Sequence, residues 1–433
     1  MATQALTPAN TEERLVWVAL TATYPLYFIG ALYISGPVLA WLLFALVLKR
    51  SRQPQGLAPI PLATWLWICG MLLMLLALIV GHLDWQLGLP KLIKSSIGWA
   101  KGWALLALFV LAGSLSIRPQ IVYRAAMVVC LHTLCLLPLF IFAWLLGLPG
   151  TPYVSPLKVI GGPGPEFFAV SLYEIDPGSG LPRWRLFTPW APALGFVANI
   201  FFLFAMQEKE RQWRWIGICA SIAMILMSQS RLAAVSLIVL AGLPLAFSIL
   251  RGPRLFILAS AASTVFALIG ITLLQMASDF WESFKGARAD STRVRATLAR
   301  IAIQRWRDEA PIWGHGIVER GPHLVEYMPI GSHHSWYGLL FVKGIVGFAA
   351  LAIPLLGSLL LLGLNARHDP LIRTGFSACA LLMLYTFGEN LEILAYLIWP
   401  ALLLIGIAHG RSVPIAQQPT SAPLTPLQSP KAS

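Results

Sequence analysis

Charge is what this chain has least of. Only 11% of its 433 residues are Asp, Glu, Lys or Arg, against roughly a quarter in a typical soluble domain. With 58% hydrophobic residues, that shortage excludes an ordinary water-soluble globule. Cysteine is scarce as well. All five (Cys69, Cys130, Cys135, Cys219, Cys379) fall inside apolar stretches, none at ligand spacing, which speaks against a disulfide framework and a metal site built on cysteine. There is no P-loop, no Gly-rich dinucleotide fingerprint and no nucleophile elbow, so nothing supports nucleotide-driven chemistry. A cleavable leader is not expected either. Residues 1–13 are polar, and the first apolar stretch, Leu15 to Ile34, lacks a small-residue cleavage site.

What the chain does have is apolar runs of about twenty residues, each long enough to cross a hydrocarbon core of roughly 30 Å. Its 17 Trp suit the headgroup boundary. Twelve spans are expected, near 15–33, 35–48, 62–80, 95–114, 125–147, 189–206, 214–227, 232–250, 255–277, 338–364, 374–389 and 391–409. Short loops bearing Lys49, Arg50 and Arg52, Arg118 and Arg124, Lys209, Arg211 and Arg214, Arg251 and Arg254, and Arg367 and Arg373 fall on one side. The positive-inside rule makes that side cytoplasmic, with both termini. The expected fold is therefore an all-α polytopic inner-membrane protein. Residues 1–411 form one transmembrane domain, and the Pro-, Ser- and Gln-rich residues 412–433 form a disordered cytoplasmic tail.

Two long loops, 148–188 and 278–336, lie on the other face. The second carries eight Lys or Arg, against the usual bias, although loops of this length translocate regardless of charge. Its excess charge points to an anionic ligand, with solvated helix faces as the bland alternative. From Ser291 to Ala310 a helix is expected: Val294, Leu298 and Ile301 make one apolar stripe, while Arg293, Arg300 and Arg307 repeat every seven residues on another face. Such a helix would lie on the membrane with its basic groups near lipid phosphates.

Four regions deliver polar chemistry to that face. Gly331-Ser332-His333-His334-Ser335-Trp336 offers a general base, since imidazole titrates near neutrality. A metal role for the histidines is weaker for want of a third ligand, and a polar helix start capped by Ser332 or Ser335 is the plain alternative. Ser228-Gln229-Ser230-Arg231 is a tight turn holding Arg231 at the membrane surface, where a guanidinium either marks a ligand path or snorkels. Arg183 and Arg185 close the first large loop. Glu174-Ile175-Asp176 has the spacing of a divalent-metal pair, at low specificity. Lys91, Lys94 and Lys101 share roughly one face and meet lipid phosphate or snorkel. His132, Lys343, Glu389 and Glu392 are boundary or intramembrane ionisable groups without an evident partner.

Taken in order, the late large loop, Ser230-Arg231 opening a span, and His334-Ser335 before a Leu-rich span resemble the O-antigen ligase and polymerase superfamily. The motifs cover residues 185–350; the rest matches by hydropathy only. The resemblance implies a GT-C-like membrane glycosyltransferase that moves a glycan from undecaprenyl diphosphate to a sugar hydroxyl of lipid A-core, on the periplasmic face, without cofactor, metal or nucleic acid. It implies His334 as the catalytic histidine, with His333 competing. It also implies diphosphate binding by Arg185, Arg231 and one of Arg288, Arg293 and Arg295. Arg183, Lys91 and Lys94 are supporting candidates. Membrane lipids are the remaining partners. An O-antigen polymerase is the nearest rival; its Arg-x10-Gly spacing occurs at Arg305–Gly316 and Arg320–Gly331, but not from Arg183 or Arg185. A protein-glycan ligase is a third variant. A transporter of lipid or polysaccharide would instead need ionisable groups along a midplane path.

Overall fold

The computed structural model of the chain describes residues 6–53, 56–176, 180–249, 289–325, 327–330, 334–367 and 369–412. The span expected at 255–277, Arg288, His333 and the tail beyond Ser412 lie outside these residues. Helices dominate. From the N-terminus run α1 (Thr11–Thr21), α2 (Thr23–Phe28), α3 (Leu32–Ser51), α4 (Leu62–Asp84), α5 (Leu89–Lys101), α6 (Trp103–Ala112) and α7 (Pro119–Leu145). Then follow α8 (Ala191–Ala205), α9 (Arg211–Ser228), α10 (Arg231–Ile249), α11 (Ala289–Glu309), α12 (Ser335–Asn365), α13 (Pro370–Tyr385) and α14 (Leu391–Ser412). Among the described residues six spans are long and apolar enough to cross a membrane: α3, α4, α5 with α6, α7, α12 and α14. Shorter apolar helices are α8, α13 and Arg231–Leu243 of α10. The chain is a multi-pass membrane protein.

Two expected spans are broken, each for a local reason. The stretch 15–33 becomes α1 and α2 and turns at Gly30 (φ +69°); Pro25 within it has no N–H to continue α1. The stretch 95–114 breaks at Gly102, which separates an amphipathic α5 without a single buried residue from a wholly buried α6. Helix α12 is interrupted too. Gly344 takes φ +63°, and a Cβ there would collide with the carbonyl of Ile312. Gly314, at φ +70°, faces the break from the other side. The backbone of 311–316 docks into it, with Ile345 N–H donating to Pro311 O and Gly316 N–H to Val342 O.

Helix α14 is the central pillar. Of its most apolar stretch 83% is buried, against 39% in α7. It packs on α6 where Gly113 and Gly406 leave no room for a side chain between them, the close approach that small residues permit between membrane helices. The β structure of the described residues is confined to two short antiparallel ladders and one bridge. In the ladders, β1 (Tyr153–Val154) pairs with β2 (Ala169–Val170), and β3 (Glu174–Ile175) with β4 (Pro182–Arg183).

The two ends of the bundle differ in their chemistry. At one end α1, α3, α7, α13 and α14 are laced by Arg50–Glu12, Arg118–Glu13, Arg124–Glu208 and Arg411–Asp369. The other end collects residues 148–190, the α9–α10 turn, helix α11 and the start of α12.

Candidate functional site

The site is assembled by hydrogen bonds to backbone carbonyls between segments remote in sequence. Trp184 N–H donates to Met227 O at 3.1 Å, and Gln229 Nε2 donates to Pro182 O at 2.9 Å. These two bonds lock the Arg183–Arg185 segment against the α9–α10 turn that carries Arg231. Gln229 can make its bond because it sits in the left-handed region (φ 49°), ending α9 so that α10 restarts at Arg231. Leu186 is also left-handed (φ 48°) and 1% exposed. A branched, buried residue in that conformation is strained, and such strain persists only where the surroundings enforce it. Both enforced turns flank candidate arginines.

Arg185 is 4% exposed. Its Nη1 donates to the carbonyls of Pro189 and Glu166, and its Nε lies 3.2 Å from Glu174 Oε1. Arg183 donates through Nη1 to Asp176 Oδ1 at 2.9 Å, with Glu174 Oε2 3.4 Å from its Nε. The pair Glu174 and Asp176, weighed above as metal ligands, are thus the counter-ions of two arginines. Among the described residues no group of three His, Cys, Asp or Glu is arranged to hold a metal.

His334 stands at the N-cap of α12, its Nδ1 accepting from Tyr337 N–H at a long 3.5 Å. The ring stacks on Tyr337 (centroids 4.0 Å apart) and meets the edge of Phe387 (5.6 Å). Burial lowers its pKa to about 4, so the imidazole is neutral at physiological pH. Next to it, Ser335, expected as a cap of this helix, is instead its first residue and bonds the α13–α14 segment. Its N–H donates to Thr386 O, its Oγ donates to Glu389 O at 2.6 Å and accepts from Leu391 N–H. The Glu389 carboxylate in turn accepts from Trp190 Nε1 at 2.9 Å. Since Trp190 follows Arg185 by five residues, the chain Arg185–Trp190–Glu389–Ser335 connects the guanidinium to the histidine through rigid helix starts.

Helix α11 closes the site from above α12. Val294 and Leu298 are buried against Phe341, with Ile301 and Tyr337 packed on the same cluster. The apolar stripe therefore covers protein where a lipid surface was expected, and the basic face of α11 lies on another side of the helix. Arg293, Arg300 and Arg307 are exposed on it; Arg295 shares the helix, and its side chain lies outside the described set. Lys91 and Lys94 lie on the exposed α5, not in the Arg185 cluster, while Lys101 Nζ donates to the carbonyls of Ile160 and Gly161.

Sequence reasoning missed a second network. Arg305 binds Glu309 and Glu319 and stands over the Phe341 ring at 5.1 Å. These contacts hold Glu309 down to a pKa of about 2. Buried His315 lies between Trp85 and Phe341 (centroids 4.9 and 4.3 Å) with its Nε2 2.8 Å from Glu309 Oε2. Arg305 and Gly316, one of the Arg-x10-Gly pairs, each have a structural contact of their own, Arg305 with Glu309 and Glu319 and Gly316 with Val342 O. The signal available was the i,i+4 pair Arg305–Glu309 followed by Pro311 and glycines. Glu389 was visible in the sequence, but its partners, Trp190 and Ser335, were not.

Fold and site together define a helical, multi-pass membrane protein with Arg183, Arg185, Arg231 and the neutral His334 at one end. Residues 216–352, about a third of the chain, match the family model described as O-antigen ligase, so this region is similar to that family. No curated protein matches the chain. The matched region contains Arg231, Arg293 and His334, while Arg183, Arg185 and Glu389 lie outside it.

Proposed function

We propose that this protein is an O-antigen ligase. It takes a glycan from undecaprenyl diphosphate and joins it to a sugar hydroxyl of lipid A-core, on the periplasmic face of a bacterial inner membrane. In this reading the fold is GT-C-like with about twelve spans, both termini are cytoplasmic, and residues 1–411 act as one domain. The observation that carries it is the rigid connection of buried Arg185 to the neutral His334 through Trp190, Glu389 and Ser335.

The chemistry follows from the charges. The acceptor hydroxyl attacks the anomeric carbon, the bond from that carbon to the phosphate oxygen breaks, and the electron pair leaves with the prenyl diphosphate. Arg185, Arg231 and an arginine of the 288–295 group stabilise the charge that develops, as a divalent ion does elsewhere. His334 receives the hydroxyl proton. With Nδ1 accepting from Tyr337 N–H, the neutral ring carries its proton on Nε2; a base at Nε2 requires that proton to move to Nδ1, and a 3.5 Å cap bond is weak enough to give way. A diphosphate arriving nearby raises the imidazole pKa from its low starting value, which strengthens the base when it is needed. A single displacement inverts the anomeric configuration.

Complementation of a strain lacking O-antigen ligase tests this. The wild-type chain is expected to restore the lipopolysaccharide ladder, and His334→Ala and Arg231→Ala are expected not to. No ladder with the wild type removes the ligase reading; a full ladder with both variants removes the site. A product that retains the anomeric configuration removes the single displacement.

A further inference from the structure

Arg185 faces a carboxylate that has the properties of a stand-in for substrate. Glu174 is 28% exposed where Arg185 is 4% exposed, so the anion of this pair borders solvent while the cation does not. The contact is electrostatic only. Arg185 Nε lies 3.2 Å from Glu174 Oε1 yet is a buried donor without a hydrogen-bond acceptor, and Arg183 Nε is in the same condition at 3.4 Å. One carboxylate is thus shared between two guanidinium groups, and neither N–H is satisfied by it. By contrast, Asp176 makes a formed hydrogen bond to Arg183 at 2.9 Å.

Nor does Arg185 need Glu174 to stay in place. The carbonyls of Pro189 and Glu166 hold its Nη1, and the enforced turn at Leu186 fixes its backbone. Glu174 itself sits on a ladder of two residue pairs, Glu174 opposite Arg183 and Ile175 opposite Pro182, and so short a hairpin is weakly held on its own. A loosely held anion on a firmly held cation is the arrangement that a better anion displaces. A phosphate brings more acceptor oxygens in the geometry that a guanidinium matches.

We infer that Glu174 occupies, in the unliganded protein, the position on Arg185 that a phosphate oxygen of the donor takes, and that it sets donor affinity by competing for that position. The inference rests on the diphosphate reading of Arg185 given above. The alternative is that Glu174 orients Arg185 and remains bound to it in the complex. The two differ in sign, because removing a competitor tightens binding and removing an orienting group weakens it.

The test uses the full chain in nanodiscs and farnesyl diphosphate as probe, read by quenching of tryptophan fluorescence, with farnesol as the uncharged control. Glu174→Gln is expected to lower the Kd for farnesyl diphosphate about twofold to fivefold, the range of a partly exposed charge interaction, and to leave farnesol unchanged. Arg185→Ala is expected to lose the diphosphate-specific binding. If Arg185→Ala loses it but Glu174→Gln binds equally or more weakly, Glu174 is no competitor, while the diphosphate reading survives. If Arg185→Ala binds like wild type, that reading fails and takes this inference with it. Should Glu174→Gln not fold, Glu174→Asp, which withdraws the charge by one methylene, is expected to tighten binding by a smaller factor; unchanged or weaker binding by that variant overturns the inference.

Discussion

Arginine meets carboxylate at both ends of this bundle, with different results. At the end where α1, α7 and α14 begin or finish, the pairs are completed. Arg118 donates Nε and Nη2 to the two oxygens of Glu13, each at 2.7 Å, and Arg124 does the same to Glu208 at 3.0 and 2.9 Å. Such two-point bonds use a guanidinium fully and staple helices together. At the other end Arg183 and Arg185 share Glu174 through Nε atoms that form no hydrogen bond to it. The same residue types thus build structure where donors and acceptors are matched, as Arg305 also does with Glu309 and Glu319, and leave two guanidinium Nε donors unmatched at Glu174.

The sharpest way to break this contrast is to substitute one residue at each end and compare chemistry. His334→Ala is expected to lower kcat by about 10² to 10⁴, the usual worth of a positioned general base. Arg118→Ala is expected to leave kcat near wild type in protein that remains folded. Equal losses in both variants would show that the two ends do not divide structure from chemistry. Assaying transfer to a purified acceptor, with folding followed by circular dichroism, separates the cases.

A second, smaller effect concerns geometry and not charge. Arg185→Lys keeps the cation but gives up the planar fork that engages two carbonyls and a carboxylate at once. We expect kcat/KM to fall about tenfold to a hundredfold, with most of the loss in kcat if the fork acts on the leaving diphosphate. A rise in KM alone would reassign Arg185 to ground-state binding.

Much of this was legible in the sequence, and what was not follows a pattern. Hydropathy placed most helices because the bilayer's thickness dictates their length; the breaks at Gly102 and Gly344 escaped, since a glycine in an apolar run reads alike whether it kinks or packs. Arg183, Arg185, Arg231 and His334 stood out as costly residue types at a membrane boundary. Their neighbours did not. The i, i+2 spacing of Glu174 and Asp176 fits a metal pair as well as two counter-ions. Only the register that sets Glu174 opposite Arg183 decides between them. The stripe Val294, Leu298 and Ile301 has the same periodicity whether it lies on lipid or on Phe341.

The pH dependence sharpens the role of the histidine. His334 is neutral in the free protein above about pH 4, and a protonated ring cannot accept the hydroxyl proton. With His334 as the proposed base, activity is expected above that value and expected to be lost as pH falls through it. The acid limb of kcat/KM, which reports the free enzyme, is expected near pH 4 and not near the ordinary imidazole value. For kcat, the limb is expected higher, because bound diphosphate favours the charged ring. A kcat limb at or below that of kcat/KM would separate His334 from the diphosphate.

The smallest expected effect belongs to the structural end. Arg118 holds Glu13, 1% exposed, to a pKa of about 2 through its side-chain bonds, and the Ala9 N–H adds to them. A carboxylate whose folded pKa is depressed contributes stability that is present above its unfolded value, near 4, and is lost as pH falls toward 2. Arg118 is nearly half exposed, so water screens the pair, and its worth lies mainly in keeping buried Glu13 satisfied. Arg118→Ala is expected to cost about 2 kcal/mol at neutral pH and to flatten the fall in melting temperature between pH 4.5 and about 2.5. Because the Glu13–Arg118 bond ties α1 to α7 far from His334, the loss should appear in the melt with kcat unmoved. A change in kcat without a change in the melt would mean that the stapled end reaches the histidine through the helices between them, and that the two ends form one functional unit.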